Sequence, residues 1–411
     1  MIDLIFIITL SINAIFISLT VILGYTGDGI SSLYAPIVML FSLISIAFIT
    51  IYELFNKNKK AKGSKMLYFF PLLFVFFYII DSITTPYSNQ ASSLSQFLSS
   101  VSYATSGIYI ATFSYRYSKI DSLLKSFNII MIIITVAIAL AIPETIFLNV
   151  VSFGTGSYQT LAYFSAFSYG INLYGILSKN KALKYKFQET TIYKSLSIVM
   201  LFIQITGVFI SGGRGGAVLL FINTFVLFYI LSRHNIKKVL MFILFFVPAT
   251  YIVFSYASPQ LVSMIESRSE RTFSYVGDEG LDLSETSGRD IVYSAAIDKV
   301  ADNLLYGYGI FKQYDMMKKD FNTPYVHNIF IEVSLQGGVI LLMTFLYFLF
   351  RHFHKLKFYL KTYPERSLII VVYLYAMVFL MFSGSYMSNT YFWFTLMYIL
   401  LFNPKEDINN L

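Results

Sequence analysis

The sequence contains no cysteine, which excludes a disulfide framework, a thiolate metal site and a cysteine nucleophile. Charge is scarce as well. Asp, Glu, Lys and Arg make up 13% of the 411 residues against 56% hydrophobic, too few to cover the surface of a soluble domain of this length. No internal repeat and no low-complexity linker stands out. Met1-Ile-Asp-Leu4 begins a hydrophobic run with neither a basic n-region nor a small-residue cleavage site, so it is expected to open a first membrane helix and not a removable signal peptide.

What the chain has instead is apolar runs of about twenty residues, the length that crosses a ~30 Å hydrocarbon core. They fall at about 4–24, 32–54, 66–81, 93–114, 127–142, 160–178, 195–210, 217–232, 239–255, 328–350, 367–384 and 390–402. The pattern predicts an all-α, polytopic membrane protein of about 12 transmembrane helices. Residues 1–255 read as a membrane domain of nine helices and 327–411 as a membrane domain of three. Between them, 256–326 is one long polar segment, whereas most other connections are short.

The basic residues orient these runs, because Lys and Arg collect in cytoplasmic loops. Lys57, Lys59, Lys60, Lys62 and Lys65 share one loop, and Arg116, Lys119 and Lys125 the next even-numbered one. Lys179, Lys181, Lys184, Lys186 and Lys194 follow, then Arg233, Lys237 and Lys238, then Arg351, Lys355, Lys357, Lys361 and Arg366, with Lys405 in the tail. The alternate short loops hold a single basic residue, Arg214. Both termini are therefore expected in the cytoplasm, and the formal charge of +8 is accounted for without nucleic acid.

The 256–326 segment is then an extracytoplasmic loop. Seven basic and eleven acidic residues give it a net charge of −4, and it reads as a small cap with short helices. Ser258-Pro259 suits an N-cap and first helical position, opening a helix towards Arg271. Ser287-Gly-Arg-Asp290 has capping-box spacing, and Ile291, Ala295, Ala296 and Val300 recur at helical intervals behind it. That helix should end near Asn303, before the Gly307-Tyr-Gly309 turn, with Arg289 in its first turn.

Three features could carry chemistry. Glu332 is the one charge well inside an apolar run, and with Asn328 and Gln336 it forms a stripe spaced by four. An intramembrane carboxylate marks a functional site by default, although hydrogen-bonding glue between helices explains the same residues. Arg214 stands in Ser211-Gly-Gly-Arg-Gly-Gly216, where glycines free the backbone and let a bulky anion approach. The bland reading is a snorkelling interfacial arginine. His327, in Pro324-Tyr-Val-His-Asn328, lies where the outer segment re-enters the membrane. There a neutral imidazole can act as a base, or serve only as a hydrogen-bonded helix start. His234, His352 and His354 sit among lysines and read as solvated charge. The outer side offers no Asp-x-Asp, no second histidine near His327 and no cysteine, so no metal or other cofactor is expected. Any anion bound there falls to arginine, whose fork matches phosphate oxygens.

Taken together, these residues resemble the bacterial O-antigen polymerase and O-antigen ligase superfamily. The resemblance covers the topology along the whole chain and three ordered motifs. These are Ser-Gly-Gly-Arg214-Gly-Gly, then Gly288-Arg289-Asp with a short helix and Leu305-Tyr-Gly-Tyr-Gly309, then Tyr325-Val-His327-Asn-Ile-Phe-Ile-Glu332 with Gly337-Gly338. The family commonly has proline where Val326 stands. The resemblance implies a metal-independent, inverting glycosyltransferase of the membrane GT-C type, acting on undecaprenyl-diphosphate-linked oligosaccharides at the outer face of the bacterial inner membrane. It implies Arg214 and Arg289 on the diphosphate and His327 at the acceptor hydroxyl, with Glu332, Asn328, Arg268 and Arg271 as possible support and Lys312 as a weaker candidate. A chain-length regulator and a flippase in the same membrane are the partners it suggests.

Polymerase is the leading expectation, with both donor and acceptor lipid-linked repeat units. The alternative is a ligase that moves finished glycan onto lipid A–core. A transporter or lipid-linked glycan flippase would also have about twelve spans, but usually shows internal repeats and ionisable residues at the midplane. A non-catalytic scaffold fits least.

Overall fold

A computed structural model describes residues 2–25, 28–55, 64–84, 90–148, 152–154, 156–231, 237, 276–277, 280–281, 289–312, 316–317 and 326–403. Among them the chain is helical apart from two two-residue hairpins and a few short 3-10 turns. The helices are α1 (Ile2–Ile22), α2 (Asp28–Phe55), α3 (Ser64–Thr84), α4 (Gln90–Arg116), α5 (Ile120–Leu148) and α6 (Tyr158–Leu177). They continue with α7 (Thr191–Ser211), α8 (Arg214–Leu231), α9 (Arg289–Asp302), α10 (Ile329–Thr362), α11 (Leu368–Phe382) and α12 (Thr390–Leu401). Eleven of the twelve apolar runs coincide with one of these helices. The run at 239–255 and the expected helix between Ser258 and Arg271 lie outside the described residues.

Six of the described helices are long and apolar enough to cross a bilayer, and Phe69–Ile83, Leu368–Phe382 and Thr390–Leu401 are shorter apolar helices. The protein is a multi-pass membrane protein built from them. Such a helix satisfies its own backbone polar groups, so its side chains are left to mediate packing.

The chain packs as two units. One comprises Met1–Val38, Ile120–Leu281 and Leu360–Val378; the other comprises Met39–Lys119, Asp282–Tyr359 and Phe379–Leu411. In the first, α5, α6, α7 and α8 lie side by side and α1 covers α5. Small residues let these helices approach: a Cβ on Gly207 would meet Ser165, and one on Gly216 would sit 2.6 Å from the Ala162 main chain. Hydrogen bonds add to this, from Gln204 Nε2 to Thr135 Oγ1 (2.7 Å) and from Asn172 Nδ2 to Gln204 Oε1 (3.2 Å). In the second unit, α12 packs along α4, close enough that a Cβ on Gly107 would lie 2.6 Å from the Thr390 carbonyl oxygen.

Charged side chains sit at helix ends and pair there. The Arg116 guanidinium at the end of α4 bonds the Glu53 carboxylate near the end of α2, both nearly buried. Arg366, just before α11, makes a two-pronged contact of 2.7 and 2.8 Å with Asp121 at the start of α5. Ser122 Oγ donates 2.6 Å to Asp3. Each contact joins two ends that the basic-residue pattern assigns to the same face of the membrane.

The apolar run expected at 328–350 is not one continuous helix. Gly337 (φ −138°, ψ 22°) and Gly338 (φ 61°, ψ −160°) break α10 into a short helix over residues 329–336 and a long one from 339 to 362. Eight residues of helix are only about 12 Å long and cannot cross the bilayer. Glu332 belongs to this short piece, which accounts for a carboxylate in an otherwise apolar run.

Candidate functional site

The break in α10 leaves main-chain groups without partners inside the helix, and residues 304–309 satisfy them. The N–H groups of Tyr308 and Gly309 donate to the carbonyls of Leu335 (2.7 Å) and Gln336 (2.9 Å), and Val339 N–H donates to the Leu304 carbonyl (2.8 Å). Two of the sequence motifs therefore interlock through backbone. The glycines make this possible: Gly307 and Gly338 have positive φ, and a Cβ on Gly307 would stand 2.6 Å from Leu335 O and Gly337 N. A Cβ on Gly338 would fall on the Leu305 main chain.

Asp81, at the end of α3, secures the same turn. Its buried carboxylate accepts the Phe311 N–H at 3.0 Å, and a Cβ on Gly309 would meet it at 2.6 Å. Lys312 follows directly; burial pushes its ammonium below the ordinary lysine value, and the nearby Asp81 charge opposes that.

Helix α9 rests on the short piece of α10. Ala296, Val326 and Leu335 are buried together, with Val292, Tyr293, Val300 and Ile331 packed around them. The apolar stripe of α9 therefore runs through Val292, Tyr293, Ala296 and Val300. Arg289 is the first residue of α9. One turn along, Tyr293 Oη donates 3.1 Å to the His327 carbonyl. His327 is half-buried and holds φ at 60°, a left-handed conformation rarely adopted by a residue with a Cβ. Strain of this kind costs roughly 1–3 kcal/mol and is characteristic of functional positions.

Asn328 caps α10, its Oδ1 accepting from Phe330 N (3.0 Å) and Ile331 N (3.3 Å). The rest of the polar stripe docks the turn between α11 and α12. Ser385 Oγ donates to the Glu332 carboxylate, and Tyr386 Oη donates to Gln336 Oε1. Both stripe residues are almost fully buried. Glu332 is thus spoken for by protein groups and braces the helix that follows His327. Tyr293, His327, Asn328 and Glu332 share one unit and one continuous set of contacts, and Arg289 begins the helix that carries Tyr293.

Arg214 belongs to the other unit, where it is the first residue of α8 and half-buried. Gly212 ends α7 in the left-handed conformation (φ 66°). The glycines around Arg214 turn out to serve helix packing. A Cβ on Gly213 would strike Ala162, one on Gly215 would strike the Tyr163 ring, and one on Gly216 would strike the Ala162 backbone. A cation at a helix N-terminus opposes the macrodipole, so Arg214 and Arg289 occupy positions at which folding alone favours an acidic residue. Arg268 and Arg271 lie outside the described residues. Among the described residues no cluster of His, Asp and Glu could hold a metal ion.

Asp81, Tyr293, Ser385 and Tyr386 were not evident from the sequence as site residues. Of these only Asp81 carried a signal, a carboxylate closing an apolar run with no partner nearby in sequence.

Removing the Tyr293 hydroxyl tests whether the strained His327 backbone matters. Tyr293→Phe should keep the ring in the α9 core and lower turnover about two- to tenfold, the worth of one hydrogen bond. Substrate KM should stay near the wild-type value, whereas a role in binding alone would raise KM and leave turnover intact.

Residues 199–346 match the family model described as O-antigen ligase. The matched stretch runs from within α7 into α10 and takes in Arg214, Arg289, His327 and the Gly337-Gly338 break. No curated protein and no solved structure matches the chain.

Proposed function

We propose, from the match of residues 199–346 to the family model described as O-antigen ligase, that the chain is a surface-polysaccharide polymerase of the O-antigen polymerase and ligase superfamily. It joins undecaprenyl-diphosphate-linked repeat units on the outer face of the inner membrane, by inverting glycosyl transfer of the GT-C type. The observation that carries this reading is the set of helix starts. Arg214 opens α8, Arg289 opens α9, and His327 stands at the entrance to the short piece of α10, held at its carbonyl by α9.

In the reaction a sugar hydroxyl of the incoming unit attacks the anomeric carbon of the growing glycan. His327 orients that hydroxyl and takes its proton as the new C–O bond forms. The bond from the anomeric carbon to the diphosphate breaks on the opposite face, and undecaprenyl diphosphate departs with the electron pair. Arg214 and Arg289 neutralise the charge that develops there. Cations held at helix starts suit this task, because preorganised groups need little reorganisation as charge appears. The two arginines stand where many glycosyltransferases use a divalent ion.

The ligase reading shares the same chemistry and differs only in acceptor. The Tyr325-Val-His-Asn-Ile-Phe-Ile-Glu332 context favours the polymerase. Purified protein in liposomes, supplied with undecaprenyl-diphosphate repeat units, is expected to produce a ladder of glycan lengths without lipid A–core. Transfer that begins only when lipid A–core is added would establish the ligase instead. Translocated but unextended substrate would point to a flippase.

A further inference from the structure

We propose that a cavity among α5, α6 and α7, at the end of the first unit that the lysine pattern assigns to the cytoplasm, is a binding site for the phosphate of an anionic phospholipid.

The cavity encloses about 210 Å³. The connection between α6 and α7 closes one side of it through two 3-10 turns, Lys181–Leu183 and Lys186–Glu189. Its floor is a bonded polar cluster. Buried Gln188 donates from Nε2 to Asn128 Oδ1 (3.0 Å) and to Tyr193 Oη (3.2 Å), and its Oε1 accepts the Tyr185 N–H (2.8 Å). Asn128 in turn donates 3.0 Å to the Leu183 carbonyl. These bonds hold the connection rigidly against α5, so the cavity is preformed.

Two lysines, Lys184 and Lys194, line this one cavity. Lys184 Nζ donates 2.6 Å to the Ser178 carbonyl, which pins a half-buried ammonium at the rim with further protons to offer. Burial pushes Lys184 below its ordinary value, and the neighbouring Lys194 charge pushes it the same way. Glu189 opposes them, but it also reaches Lys181 at 3.9 Å. Lys125 is turned over the Tyr185 ring, 4.7 Å from its centroid. Two like charges brought to one small polar cavity are stabilised by an anion between them.

The surroundings select a lipid over a free anion. Ile176 (43% exposed) and Ile198 (54%) belong to the lining itself and form an exposed apolar strip beside the lysines. Acyl chains lie along that strip while the phosphate reaches the lysines. Basic pockets between helices at the cytoplasmic side suit such headgroups, with about 1 kcal/mol per Lys near an anionic surface. The cytoplasmic face is opposite to the one at which donor diphosphate is handled, so this lipid is not the substrate.

The test is native mass spectrometry of the full-length protein in detergent, titrated with phosphatidylglycerol and separately with phosphatidylcholine. Phosphatidylglycerol is expected to bind more tightly. Lys194→Glu reverses an exposed charge and leaves the Ser178 bond untouched; it should weaken phosphatidylglycerol by at least about fivefold. Lys184→Gln should weaken it similarly, while Lys357→Ala, with the same charge change outside the cavity, should not. Equal binding of the two lipids, or no response to either cavity variant, overturns the proposal. Displacement of phosphatidylglycerol by millimolar inorganic phosphate alone overturns the lipid assignment in favour of a free-phosphate site.

Discussion

Replacing His327 by alanine is expected to abolish glycan extension while the protein still inserts and folds. General-base assistance contributes roughly 10²–10⁴-fold, so a chain stripped of it should show turnover below detection in a ladder assay. The fold should survive, because the Tyr293 hydrogen bond to this residue runs to its main-chain carbonyl and is kept in the variant. Arg214→Ala and Arg289→Ala should be as inactive, since loss of one stabilising group at a developing anion costs about 10²–10³ in rate. Lysine at either position keeps the charge and loses the fork, and is expected to recover part of the activity. Retained polymerisation by His327→Ala would remove this residue from its assigned role and leave orientation of the acceptor to other groups.

The second large effect concerns the broken helix. Gly338→Ala should destabilise the protein by more than about 3 kcal/mol. Its backbone angles (φ 61°, ψ −160°) lie in a region that essentially only glycine occupies, and the added Cβ would collide with the Leu305 main chain. Either α10 straightens or residues 304–309 detach from it. Both outcomes release the N–H groups of Tyr308, Gly309 and Val339, whose hydrogen exchange should accelerate together, with a lower melting temperature. An unchanged exchange pattern would mean that the interlock does not hold the short helix in place. Asp81→Ala should loosen the same turn to a smaller degree, because Asp81 secures Phe311 and not the break itself.

Much of the architecture was legible in the sequence, for a simple physical reason. A membrane helix must be apolar along its membrane-crossing length, so hydropathy alone located eleven of the helices, although it missed polar extensions such as both ends of α5 and the last twelve residues of α10. The α9 helix was legible as well, because its N-terminal spacing and the turn at Gly307 bracket it. The break at Gly337-Gly338 was harder to see. The pair stood in plain view, but breaking a helix there requires a distant segment to take up the freed backbone groups, and no local rule supplies Leu304 to Gly309 as that segment. The stripe of Asn328, Glu332 and Gln336 was visible from its spacing. That its members cap a helix and grip Ser385 and Tyr386 depends on tertiary packing. The glycines flanking Arg214 show how one signal serves two readings, since residues expected to admit an anion also admit the neighbouring helix α6.

The central claim is that this chain cleaves a glycosyl diphosphate with its own cations and without a metal. The most direct measurement is product analysis, by mass spectrometry, of purified protein incubated with undecaprenyl-diphosphate repeat units in excess EDTA. The account predicts lengthened lipid-linked glycan, free undecaprenyl diphosphate in matching amount, and inversion at the new linkage. Intact donor that becomes product only when a divalent ion is restored would contradict it.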